Sequence, residues 1–350
     1  MMSKRKVRRV VVATAIVMVV GIVVVGGVKF VEQMNAPLVV VYHCPDVFER
    51  RWGDFTANVT GRVGPAARGV RYRVNDGRWI DLSNNRSRVP APKFTVEIPP
   101  ADLIVGHNTL EFTGKRFGIW EESAECEFDY DPSPIELPVV EDWSHPDLDA
   151  QDGYWETIQV DGEWRVRPVP GQEDYDRIVV VTGAFPQGRR VETTVTLRDH
   201  DWERPFGFGV LPLWGGRPDA DGVLPRRGWN FSLVWFYSHY EGVGQEFSYK
   251  ETGALPEWVS NYRSIDMETN VRYHIVIEAW PVNDEEGAHL YYRQRMKWWA
   301  EGQQEPEHWM DFTDIQGSPL PEGEFCVALV AHRSQVEYGA VRVLPIHHQK

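Results

Sequence analysis

Along most of this chain apolar and polar residues alternate over short stretches, while one stretch near the start runs apolar without a break. Alternation sends successive side chains to opposite faces of an extended strand, whereas an unbroken run of about 20 apolar residues suits a helix in lipid. The alternation begins after Pro37. Val70, Tyr72 and Val74 interleave with Arg71 and Arg73, Asn75-Asp76-Gly77 tolerates positive φ, and Trp79 and Leu82 follow on the way back, which predicts a hairpin. The same pattern predicts strands over 38–43, 56–62, 93–98, 109–113 and 124–130. Short strands spaced this closely suit a two-sheet sandwich over 37–131.

A second block, 152–346, repeats the pattern. Strands are expected at 154–160, 163–168, 176–182, 190–197, 206–211, 230–237, 271–280, 288–299, 325–331 and 338–344, a number that suits a two-sheet jelly roll. Between the blocks, Asp131-Pro-Ser-Pro134, Leu137-Pro138 and the acidic, turn-rich stretch to Gln151 read as a linker over 132–151. The expected class is all-β.

The unbroken run is Val10–Val28, long enough to cross a bilayer as a helix. Lys4, Arg5, Lys6, Arg8 and Arg9 precede it in a basic tail, 1–9, and Glu32 follows, so the positive-inside rule puts the N-terminus in the cytoplasm and everything after the span outside. The run reads as an uncleaved signal anchor. A cleaved signal peptide is the alternative, with Gly26 and Gly27 as small residues near an imperfect site.

Composition narrows the class. A chain with 42% hydrophobic, 12% aromatic and 25% charged residues is neither a disordered polymer nor a collagen nor a coiled-coil rod. Thirty Gly, 24 Pro and 15 Trp favour turns and strands over helices. The net charge is −14, and the only charges in residues 1–30 are basic, so the outer part is more acidic than the whole. Such a surface repels phosphates, which disfavours a nucleic-acid partner.

Cys44 ends the first expected strand and Cys126 lies in the last strand of the first block, where Ala124, Cys126, Phe128 and Tyr130 share the inward face. A disulfide between them and a pair of small buried thiols both fit. Closing that loop would stabilise the block by about 4 to 5 kcal/mol on the chain-entropy model. Cys326, in an apolar run, reads as a core residue.

Two resemblances sharpen the fold. Phe94-Thr-Val-Glu-Ile98, Asp102-Leu103 and Gly106-His-Asn108-Thr-Leu110 resemble the later half of bacterial immunoglobulin-like and fibronectin-type modules, where a Gly-x-Asn turn precedes a buried strand. This implies a spacer or recognition module. Tyr273-His-Ile-Val-Ile-Glu-Ala-Trp280 and Leu290-Tyr-Tyr-Arg-Gln-Arg-Met-Lys-Trp-Trp299, with Gly302, Glu305-Pro306 and Trp309, resemble the later half of concanavalin A-like lectin/glucanase (laminin-G-like) domains. That family's Lys-x-Trp-x-x-Gly-x-x-Glu-Pro-x-x-Trp pattern begins here at Lys297, and Gly339-Ala-Val-Arg-Val343 resembles its closing strand. The family holds sugar-binding modules, adhesion modules and glycoside hydrolases, so the resemblance implies a fold and leaves the function to the site.

For catalysis, the retaining glucanases of that family carry Glu-x-Asp followed closely by Glu, and this chain has no such motif. Asp199, Asp201 and Glu203 come nearest, three carboxylates at period-two spacing that lack the motif's first Glu and lie where a strand should give way to a loop, so a solvated acidic turn is the simpler reading. Asp219-Ala-Asp221-Gly222 is an oxygen-rich turn with room for calcium but too few ligands to complete a site, and no other cofactor is indicated. The aromatics are more telling. Trp229, Trp235, Phe236, Tyr237 and Tyr240 crowd one segment, with Trp258 and Tyr262 next, and exposed Trp and Tyr faces suit the apolar faces of sugar rings. Along 230–237 neither face is plainly polar, so periodicity leaves open which one is core. Trp235, Tyr237, Tyr240, Trp258 and Tyr262 are the expected ligand-binding residues.

These readings converge on a membrane-anchored recognition protein held outside the cell membrane, binding a glycan or a surface partner without chemistry. A divergent glycoside hydrolase and a structural subunit of a surface assembly are the alternatives.

Overall fold

A computed structural model describes residues 35–67, 69–82, 93–171, 176–200, 203–218, 226, 228–248, 259–311 and 320–346. The expected anchor and its basic tail lie outside the described residues, among which no helix is long and apolar enough to cross a membrane. The fold is all-β, built of sandwich-like sheets.

The first block contributes β1 (Val39–His43), β2 (Val47–Phe48), β3 (Ala57–Val63), β4 (Val70–Val74), β5 (Ile80–Asp81), β6 (Lys93–Ile98), β7 (Gly106–Arg116) and β8 (Ile119–Tyr130). A three-stranded sheet, β1-β3-β6, and a five-stranded sheet, β2-β8-β7-β4-β5, share one apolar core. Val59, Phe94 and Val96 enter it from the smaller sheet, and Phe48, Tyr72, Leu110, Phe112 and Phe128 from the larger. The expected turn is present. Asn75 takes a φ of 49° and the Gly77 N–H donates to the Val74 carbonyl at 2.9 Å, though the returning strand pairs over only two residues.

Asn108 organises the neighbouring turn. Its fully buried amide donates to the carbonyls of Ile104 (2.8 Å) and Gly106 (2.7 Å) and accepts from the Ile104 N–H (3.0 Å). Cys44 and Cys126 are bonded to each other with Cα atoms 6.5 Å apart, within the usual disulfide range, so of the two readings the disulfide holds.

The second block contributes β9 (Val139–Glu141), β10 (Ala150–Asp152), β11 (Trp155–Val160), β12 (Glu163–Pro168), β13 (Asp176–Val180), β14 (Arg189–His200), β15 (Gly207–Trp214), β16 (Phe231–Tyr237), β17 (Gly242–Ser248) and β18 (Val259–Ser264). After these come β19 (Arg272–Asn283), β20 (His289–Ala300), β21 (Met310–Asp311), β22 (Cys326–His332), β23 (Ser334–Tyr338) and β24 (Val341–Pro345). A seven-stranded sheet, β10-β13-β22-β15-β16-β17-β18, and a nine-stranded sheet built around β14, β19 and β20 are joined by the largest core. The single strand expected over 338–344 is two, parted at Gly339-Ala340.

Lys297-to-Trp309 forms a turn that returns β21 onto β20. Gly302 takes a φ of 84°, Lys297 Nζ meets Glu305 at 2.7 Å, and the Trp309 ring lies under Arg295 (4.4 Å) and Lys297 (5.0 Å).

The stretch read as a linker is not a free spacer. β9 pairs with β24 and β10 with β13, and between them Trp143 and Leu148 are buried in the large core, with Trp143 Nε1 donating to the Gly339 carbonyl at 2.8 Å. Its prolines and acids mask this in sequence, because pairing at a sheet edge needs little apolar side chain.

The two sandwiches are also joined directly. Residues 49–56 run from one onto the other: the Ala184 N–H donates to the Arg50 carbonyl at 2.8 Å, Arg51 pairs with Asp149, Arg50 with Glu324, and Phe55 is fully buried against Trp214, Phe231 and Leu233. Asn58 Nδ2 donates to the Gln151 carbonyl (2.9 Å), Tyr154 Oη to the Gly61 carbonyl (2.7 Å) and the Trp155 N–H to His43 Nε2 (3.0 Å).

Candidate functional site

In β16 the odd and even positions part cleanly. Val234 and Phe236 enter the core between the sheets, while Phe231, Leu233, Trp235 and Tyr237 stand on the outward face of the seven-stranded sheet. Periodicity left that choice open because both faces are apolar. The outward face is apolar for two reasons. At the β16 start it is covered by Phe55 of the first sandwich; at the β16 end, about 20 Å further on at the usual rise per residue, it carries an aromatic cluster.

Strand register builds that cluster. Trp235 lies opposite Gly209 of β15 and Gly244 of β17, and Gly244 in turn lies opposite Tyr262 of β18. A Cβ at Gly207 would run into the Trp235 ring, so this glycine lets the indole lie flat across the neighbouring strand, while one at Gly209 would meet the Val234 carbonyl and the Trp235 backbone. Tyr237 stacks on Trp235 at 4.7 Å with 8° between the planes. Tyr240, nearly half exposed at 47%, lies 4.4 Å from the Tyr262 ring and 5.8 Å from that of Tyr237.

Polar groups edge the aromatics. Trp235 Nε1 donates to Tyr262 Oη at 2.7 Å, and that hydroxyl donates to Glu246 Oε1 of β17 at 2.5 Å. Burial holds the Glu246 carboxyl above the usual carboxylate range, against the opposing pull of the Tyr262 hydrogen bond. Burial, reinforced by the Glu246 charge, also raises the Tyr262 hydroxyl, which stays protonated. His332 of β22 has its ring 6.1 Å from both Trp235 and Tyr237 and meets Asp176 of β13 at 2.6 Å.

Of the expected ligand-binding residues, Trp235, Tyr237, Tyr240 and Tyr262 therefore come together, while Trp258 lies outside the described residues. Trp229 is at the far end of the face, edge-on to Trp214 and Phe231, and Phe236 is core. Asp199 belongs to β14 of the other sheet, at a register shift, where its carboxylate accepts the His200 N–H at 2.8 Å. Glu203 is exposed and Asp201 lies outside the described residues, as do Asp219 and Asp221. Among the described residues no three His, Cys, Asp or Glu side chains converge in a way that would hold a metal ion. Sequence reasoning missed Glu246, Asp176 and His332. Gly-Val-Gly-Gln-Glu-Phe-Ser, the whole of β17, lacks a clear apolar alternation, and Asp176 and His332 are 156 positions apart.

No protein-family model matches the chain, and no curated protein matches it. Solved structures do. The carbohydrate-binding module CBM66 from Bacillus subtilis aligns at 14% identity and a TM-score of 0.32, covering 56% of this chain and 94% of that one. Alginate lyase vAL-1 from Chlorella virus aligns at 11% identity and a TM-score of 0.36, over 57% and 93%. The exoplasmic/lumenal domain of VIP36, in its Ca2+/Man3GlcNAc-bound form, aligns at 10% identity and a TM-score of 0.35, over 56% and 85%.

Proposed function

We propose that this chain is a membrane-anchored recognition protein whose second sandwich, a jelly roll of the concanavalin A-like kind, binds a glycan at the aromatic end of its seven-stranded sheet. The first sandwich, immunoglobulin-like in its sequence pattern, is then the spacer between bilayer and site. One observation carries the reading: Trp235, Tyr237 and Tyr240 from one stretch and Tyr262 from another are gathered beside glycines at one end of a sheet face, with Tyr240 open to solvent. An aromatic cluster open at Tyr240, with hydroxyl, carboxylate and imidazole groups beside it, suits a sugar ring, whose apolar face stacks while its hydroxyls hydrogen-bond.

The full chain in detergent is to be screened against polysaccharides with and without calcium, with product release followed on the same panel. Binding that is lost in Tyr240→Ala and weakened by about tenfold or more in Tyr237→Ala is the expected result, since a stacked aromatic contributes on the order of 1 to 2 kcal/mol. Silence across the panel overturns the glycan reading and favours a subunit of a surface assembly. A second reading, hydrolysis, is favoured by Glu246, a carboxyl raised by burial beside the aromatic surface, as a proton donor requires. Product release that disappears in Glu246→Gln while binding persists would decide for it.

A further inference from the structure

The first sandwich carries an apolar tip that its own fold does not use. β7 and β8 are joined by Phe117-Gly118, and Phe117 is 77% exposed, Ile119 68% and Trp120 39%. Phe117 also takes a φ of 52°, a region that residues other than Gly, Asn and Asp rarely adopt. A two-residue hairpin turn favours Asn or Gly there, so neither packing nor turn geometry accounts for a phenylalanine. Charged groups flank the tip: Lys115 Nζ lies 4.6 Å and the Arg71 guanidinium 4.1 Å from the Trp120 ring centre, and Arg116 sits between Glu121, at 3.3 Å, and the Ala36 carbonyl.

The last contact places the tip in the molecule. Arg116 Nη2 donates to the Ala36 carbonyl at 3.0 Å, and Leu38 packs on the Gly114 backbone, so the tip lies where the described chain begins. Ala36 comes eight residues after Val28, the end of the apolar run. Eight residues reach at most about 29 Å. If the run spans a bilayer, Ala36 is held within that reach of its surface, and the tip one Arg116 side chain from Ala36.

We propose that the 116–120 hairpin tip seats in the membrane interface, Phe117 and Ile119 among the upper acyl chains, Trp120 at the headgroups, and Lys115 toward lipid phosphates. This inference rests on the membrane-anchor reading. Aromatic rings with flanking Lys and Arg are the side chains favoured at that depth. The tip is a second attachment beside the anchor, and it restricts how the first sandwich pivots on the membrane.

The test uses the full chain with Ile119→Cys carrying an environment-sensitive dye, reconstituted in phosphatidylcholine–phosphatidylglycerol vesicles that contain a nitroxide lipid. A dye at Leu290→Cys, exposed on the second sandwich, is the reference, and alkali extraction reads the anchor separately. The expected result is a blue-shifted Ile119 dye that the nitroxide quenches, an unquenched Leu290 dye, and at least a halving of the Ile119 quenching when Phe117→Asn is added without loss of thermal stability. An unquenched Ile119 dye on alkali-resistant protein overturns the inference and leaves the anchor standing. A blue shift without quenching means that protein covers the tip and also overturns it. Protein released by alkali overturns the anchor and the inference together.

Discussion

Two single residues carry more than their size suggests. Asn108 satisfies three backbone groups in a turn that sequence marks only as Gly-x-Asn, and truncation to Ala removes all three bonds. Each such bond contributes about 0.5 to 1.5 kcal/mol net, so Asn108→Ala is expected to lower unfolding stability by about 3 kcal/mol in a urea titration. His43 sits at the joint between the sandwiches, accepting the Trp155 N–H, and burial pushes its pKa down from 6.5 to about 4. Between those values the unfolded chain holds a proton that the folded chain does not, so this contribution is complete above pH 6.5 and is lost as pH falls toward 4. The full loss is about 3 kcal/mol. The measurable quantity is the difference in urea midpoint between wild type and His43→Gln across that window: Gln keeps an acceptor and cannot titrate, so its profile should be flatter.

At the scale of elements, alternation was legible wherever one face is polar. β4, β6 and β12 lie where Val70-Arg-Tyr-Arg-Val74 and similar runs place them, and β7 extends beyond its run at both ends. β17 was not legible because its outward positions include Gly242, Gly244 and Glu246, a shallow floor for neighbouring aromatics and not an apolar stripe. Gly207 of β15 serves the same end, so Gly207→Ala is expected to push the Trp235 ring from its place, cost about 1 to 3 kcal/mol in thermal unfolding, and abolish binding of any saccharide the site takes. The β1–β8 disulfide closes a separation of 82 residues, and replacing both cysteines by Ala should cost about 2 to 5 kcal/mol. Alkylation of denatured, unreduced protein should then find one thiol, Cys326. Finding three would overturn the bond.

The whole molecule is two sandwiches that share buried polar and apolar contacts. Phe55 fills the outward face of the second sandwich from the first, and Arg51, Asp149, Asn58 and Gln151 surround the joint. Wild type is therefore expected to unfold in one calorimetric transition, while Phe55→Ala, which removes a buried ring at about 3 to 5 kcal/mol, should split it into two. A wild type that already melts in two steps would show that the joint does not couple them.

Local properties are what the amino-acid order determined unaided: period-two alternation, turns that demand positive φ, the apolar run at 10–28, and the crowding of aromatics near 235. Each depends on neighbours along the chain, so each is written in a short window. Which face of β16 is core, that Phe55 covers one end of the outward face, that a supposed linker supplies β9 and β10, and that Asp176, His332 and Glu246 edge the aromatics were decided only by the tertiary structure. Those facts depend on cross-strand register between distant segments, and register follows from the packing of both sheets at once, which no single stretch of sequence contains.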